Sequence, residues 1–155
     1  MTGVQTCALP ILFLLPSINQ KLRPKILDLK PGTRIVSNSF TMGEWQDDET
    51  ATVDSTQGCT TYCTAHFWIV PAKVQGTWKL GDGELTLKQE FQMLSGTLTA
   101  GGKSMAIANG KMRGDQIQFI AGGTEYSGKV SGGLMEGATK SGSGSGRFQA
   151  TRTGS

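Results

Sequence analysis

The residues best suited to chemistry lie close together in the stretch "GCTTYCTAHFWIV": Cys59, Cys63 and His66. Thiolates and an imidazole at such spacing hold zinc when four ligands converge on one ion. Beyond the two cysteines two further ligands would be needed, and His66 is the only histidine to supply one, so no metal is expected. The C-x3-C pair reads instead as two ordinary thiols or one local disulfide. The glycine-rich stretches "TAGGKS", "AGGTEYSGKVSGG" and "SGSGSG" raise the question of a phosphate loop. Such a loop follows a buried strand and opens a helix, and these all fall in a strand-rich half of the chain. No acid–base constellation stands out in residues 12–155.

The elements that must carry these residues fall into two halves. Of 22 glycines, 18 lie from Lys73 onward, which sets a boundary near Ala72. Charge divides the same way: five Lys/Arg against one acid in residues 1–37, five acids and no Lys or Arg in 38–72, ten against six in 73–155. The net +3 is therefore spread out, without the basic stripe and interleaved aromatics of a nucleic-acid binder. Nucleic acid is not expected as a partner.

In the first half "LFLLP", Leu12 to Pro16, is a continuous apolar run of the kind found in central parallel strands. Ile18, Leu22, Ile26 and Leu29 then recur at helical spacing, with Pro24 marking a kink or a second helix start. Pro31 and Gly32 stop the helix, and Ile35, Val36 and Phe40 begin a new strand. His66 to Ala72 is a further apolar strand, with Thr50 to Asp54 as a short antiparallel partner at the sheet edge.

The second half is all strand. "ELTLKQEFQM" alternates with period two, and its phase slips at Met93-Leu94, which reads as a bulge or bend. Similar alternation returns at Met105, Ile117, Tyr126 and Phe148, with glycine pairs between for tight hairpins. About six strands in a small open barrel or curled sheet are expected, filled by their own side chains. "SGSGSG" is read as a hairpin loop before a last strand.

The amino terminus carries an apolar run, Cys7 to Pro16, but no positive charge before it and no small-residue cleavage site after it. It is also shorter than the roughly 20 apolar residues a membrane span needs. No signal peptide or transmembrane segment is expected, and the compartment stays open between cytoplasm and periplasm. "MTGVQTCALPI", Met1 to Ile11, looks like the in-frame translation of a common sequencing-library adapter read from a GTG start codon. Residues 1–11 are accordingly set aside as an artefact.

Beyond Ile11, the blocks LLP, LRPK, LKPGTRIVS, MGEW and WIVPAK occur in that order. In content and order they resemble the carboxyl-terminal part of bacterial class I S-adenosylmethionine-dependent methyltransferases, and distantly mitochondrial protein-lysine methyltransferases. The resemblance is close over residues 12 to about 80. It implies an α+β chain: 12–72 as a truncated Rossmann-like methyltransferase domain, strand-helix-strand plus edge strands, and 73–155 as a glycine-rich antiparallel β module. It places Leu15, Pro16 and Asn19 at the carboxyl end of one family strand and Asn38 and Phe40 at the end of the next, walling the pocket between the methyl group and its acceptor. Relatives carry an "SHDF"-like stretch where this chain has "SNSF".

By the same resemblance, S-adenosylmethionine is the parent's cofactor. Its glycine-rich turn and ribose-binding acid belong upstream, so no residue of this chain is assigned to it and the fragment is expected to be inactive alone. The acceptor is left open between a protein lysine and a small molecule. The alternative is a complete small β-rich binding or interaction module without catalysis.

Overall fold

A computed structural model describes residues 9–154, so Met1 to Ala8, most of the adapter-like segment, lie outside the described residues. The chain divides into a unit ending at Val70 and a unit beginning at Pro71. The first contains β1 (Ile11–Leu12), α1 (Pro16–Leu27), β2 (Arg34–Asn38), β3 (Glu49–Thr52), a 3-10 turn (Ser55–Gln57) and β4 (Thr64–Ile69). Its sheet has the order β1-β2-β4-β3. β1 runs parallel to β2 for two residue pairs, and the β2–β4 and β3–β4 pairings are antiparallel.

One face of this sheet is covered. Ile35 pairs with Trp68 and Ser37 with His66, and Ile35, Ser37 and Trp68 are fully buried. The helix buries Asn19 and Ile26 and half-buries Leu22, while Ile18 and Leu29 of the expected stripe are 42% and 41% exposed. The segment after β2 folds back over the same region and buries Met42 and Trp45 completely. Helix side chains hold it: Asn19 Nδ2 donates to the Phe40 and Thr41 carbonyls (3.3 Å each), and Arg23 Nη1 donates to the Met42 carbonyl (2.9 Å). Trp68 Nε1 donates to the Trp45 carbonyl (3.0 Å), with the two rings 6.1 Å apart.

The second unit is a closed barrel of eight antiparallel strands: β5 (Gly76–Leu80), β6 (Gly83–Glu90), β7 (Met93–Ala100), β8 (Lys103–Arg113), β9 (Gln116–Ala121), β10 (Thr124–Ser131), β11 (Leu134–Ser141) and β12 (Gly144–Gly154). Consecutive strands pair as hairpins, and β12 closes on β5. Two-residue turns join them, and Gly81, Phe91, Gly101, Gly114, Gly122 and Gly132 open such turns at φ from 53 to 63°. Left-handed turns of this kind match the twist of the flanking strands, which accounts for much of the glycine content.

Inside, Trp78, Leu85, Leu87, Leu98, Met112, Ile117, Phe119 and Met135 fill the barrel at 2% exposure or less. An eight-stranded barrel is just wide enough for its side chains to do this. The segment leading into β5 is tied to it at several points. Trp78 Nε1 donates to the Val74 carbonyl (2.8 Å), and Gln89 bonds the Val74 amide (2.7 Å) and the Ala72 carbonyl (2.9 Å). Arg152 lies over the Trp78 ring (4.7 Å) and donates to the Lys73 and Gln75 carbonyls.

These findings correct the expected fold class. The molecule is mostly β and dominated by a closed eight-stranded antiparallel barrel, not an α+β chain built on a Rossmann-like strand-helix-strand sheet. "LFLLP" forms no central strand. β1 is a two-residue edge strand, and Ile11, Phe13 and Leu15 beside it are 73%, 56% and 59% exposed. The slip at Met93-Leu94 follows the Phe91-Gln92 hairpin turn between β6 and β7, and the β7–β8 pairing has an irregular register between Leu94 and Thr97; the module has eight strands rather than about six.

Candidate functional site

The parallel pair β1–β2 ends with Leu12 beside Ser37, and across β2 Asn38 lies beside Ala65 of β4. Beyond that end three aromatic rings meet. Phe13 and Tyr62 are 5.2 Å apart and edge-on, and Phe40 is 5.8 Å from each. Phe13 and Tyr62 remain more than half exposed, so the cluster is a surface rather than core.

The loops that carry these rings hold unusual backbone. Ser39 (φ 61°) and Tyr62 (φ 58°) are both left-handed without being glycine, a conformation that the Cβ disfavours and that surrounding structure must enforce. For Ser39 the enforcement is visible: its amide donates to the Thr64 carbonyl (2.6 Å) and its Oγ to Asn38 Oδ1 (3.0 Å). For Tyr62 it is covalent. Cys59 and Cys63, which bracket it, form a disulfide with Cα atoms 5.8 Å apart. That settles the two readings of the C-x3-C pair.

Among the residues expected at the site, Asn38 and Phe40 belong to this end and are half-buried. Leu15 and Pro16 open α1 with exposed side chains. Asn19 is fully buried beneath the segment after β2, where its Nδ2 also approaches Ser37 Oγ (3.4 Å). Its Oδ1 has no partner among the described residues.

A second polar cluster was not anticipated. His66 Nδ1 lies 3.0 Å from Asp47 Oδ2, and Thr50 Oγ1 donates to the same oxygen. Burial raises the Asp47 pKa, but the hydrogen bonds from Thr50 and His66 together outweigh it and hold the carboxyl below its ordinary range. A carboxyl depressed in the folded state contributes stability above its unfolded pKa and loses it as pH falls through the folded value. In acid melts below the ordinary aspartate range, Asp47→Asn is therefore expected to flatten the first unit's pH profile. At neutral pH it should cost about 1–2 kcal/mol in lost hydrogen bonds. A profile as steep as the parent's would show that Asp47 does not carry this dependence.

Tyr62 and Phe13 had a legible signal, an aromatic between paired cysteines and an aromatic inside an apolar run. The Asp47–His66 pair had none, because it depends on how β3 and β4 register. No described group of three His, Cys, Asp or Glu residues is placed to hold a metal ion. No described helix is long and apolar enough to cross a membrane.

No family model and no curated protein matches the chain. Among solved structures it is similar to the crystal structure of an RNA methyltransferase from Salinibacter ruber in complex with S-adenosyl-L-homocysteine. The identity is 39% over 43% of this chain and 39% of that one, with a TM-score of 0.36. The chain thus spans well under half of that protein's length, and the likeness is one of sequence over a part, not of overall shape. Over that part it is similar to a methyltransferase.

Binding S-adenosylmethionine in the manner of doubly wound folds takes a glycine-rich turn from strand to helix and an acid for the ribose. Here β1 passes to α1 through Phe13, Leu14 and Leu15, with no glycine, and Leu15 caps the helix without a side-chain bond. This junction does not fit the cofactor.

Proposed function

We propose that the first unit is part of an S-adenosylmethionine-dependent methyltransferase, supplying the acceptor side of the site while the cofactor is held by sequence outside this chain. One observation carries the reading. The blocks LRPK, MGEW and WIVPAK, separate in sequence, meet in one clasp, where Arg23 holds the Met42 carbonyl and Trp68 packs on Trp45. Residues that matter to each other in space are what a shared family pattern should contain. On this reading Leu15, Pro16, Asn38 and Phe40 wall the acceptor, and Asn19 positions Phe40 from beneath. The protein's task at such a site is to align the acceptor and exclude water, since the sulfonium carries the activated methyl.

The acceptor is a protein lysine or a small molecule. The five acids and absent Lys or Arg of residues 38–72 favour a cation there. Residues 73–155 form an appended, self-filled β module. Calorimetric titration of S-adenosylhomocysteine into the chain is expected to show no binding at micromolar concentration. A micromolar Kd would overturn the placement of the cofactor site outside it.

A further inference from the structure

Tyr62 occupies its left-handed backbone inside the five-residue loop closed by the Cys59–Cys63 disulfide. On the Cys63 side the loop is anchored by backbone bonds, Val53 amide to Cys63 carbonyl (2.9 Å) and Ser39 amide to Thr64 carbonyl (2.6 Å). On the Cys59 side the chain leaves the Asp54-capped 3-10 turn through Gly58 (φ 82°), whose amide donates to the Ser55 carbonyl (3.1 Å), and Thr60 and Thr61 beyond it are exposed. The disulfide ties the end of this turn to Cys63 directly beside Tyr62, and so holds the Tyr62 ring against Phe13 and Phe40.

We propose that the Cys59–Cys63 disulfide is a redox latch that sets Tyr62 as one wall of the aromatic end of the sheet, and that a dithiol reductant opens that wall. The functional consequence, a change in what the acceptor end admits, rests on the proposed acceptor role of that end; the latch itself does not. In the opening step one thiolate of the dithiol attacks a cysteine sulfur and breaks the S–S bond, forming a mixed disulfide. The second thiol then displaces the protein. Two electrons and two protons pass to the chain, leaving Cys59 and Cys63 as thiols and the reductant as a cyclic disulfide. Without the cross-link, Tyr62 is free to leave a conformation that its Cβ disfavours.

The test is NMR of the full chain with labelled aromatics. In the oxidised protein, nuclear Overhauser contacts link the Tyr62 ring to Phe13 and Phe40. After reduction with dithiothreitol, verified by iodoacetamide labelling of Cys59 and Cys63, those contacts should fall at least fivefold. The Trp45–Trp68 contact in the same unit should persist. Cys59→Ser with Cys63→Ser should reproduce the reduced spectrum without reductant. Unchanged Tyr62 contacts on reduction would overturn the latch. So would loss of the Trp45–Trp68 contact as well, since the disulfide would then hold the whole unit. Either result concerns the latch alone, because the acceptor-side reading is tested separately by cofactor binding and gene structure.

Discussion

Gly137→Ala is expected to open the barrel. A Cβ at Gly137 would stand 2.1 Å from the Ser127 carbonyl oxygen and 2.4 Å from the Gly128 Cα, distances no real Cβ tolerates. Gly128 is its direct partner across β10 and β11, and a Cβ there would meet the Glu136 oxygen at 2.4 Å and the tip of the Phe148 ring at 3.0 Å. The obstacles at Gly137 are backbone, which cannot swing aside, so the two strands must separate. Beneath them Tyr126 packs edge-on against Phe148 and stacks on Phe119, so separation also disturbs the filled interior. The expected loss is at least about 3 kcal/mol, at the upper end of overpacking effects. Urea unfolding followed through Trp78 measures it. Gly133→Ala is the control: its Cβ would meet only Arg152 Cβ at 3.8 Å, and the change should stay within about 0.5 kcal/mol. Equal midpoints for the two variants would contradict the close approach of β10 and β11.

Trp68→Ala is expected to cost the first unit about 4 kcal/mol, the range for deleting a buried aromatic. Trp68 is fully buried, pairs with Ile35 across the sheet, packs on Trp45 and lies 5.8 Å from the His66 ring. Its indole also holds the Trp45 carbonyl, so truncation removes a bond as well as volume. Trp68→Phe keeps most of the volume and should cost roughly half as much. The transition of the barrel, reported by Trp78, should not move, because Trp78 belongs to a unit with its own filled core. A barrel midpoint shifted by Trp68→Ala would show that the two units do not unfold independently.

The barrel was partly legible because its hairpins are local: alternation shows a strand and a glycine pair shows a turn. Its closure was not, since β12 meets β5 across some 70 residues and no local pattern encodes that pairing. Phe91-Gln92 carries no turn signal, because phenylalanine is rarely left-handed and the apolar alternation runs through it. In the first unit, the apolar run of Leu12 to Pro16 expressed a demand for burial that says nothing about which strand pairs with it. Asn19 was found by family position, not by pattern. It shares a helical face with Leu22 and Ile26, and what buries it is its bonding to the Phe40 and Thr41 carbonyls, which the apolar pattern does not encode. The aromatic end depends on a disulfide and two strained residues, which spacing alone left undecided.

The most direct measurement is the genomic sequence upstream of the codon for Leu12. The expected result is an open frame that continues upstream through a strand, a glycine-rich turn opening a helix, and an acidic residue about twenty positions later. Genomic DNA that encodes Met1 to Ile11 with an in-frame stop before it would contradict the methyltransferase reading and leave the barrel as the place to look for function.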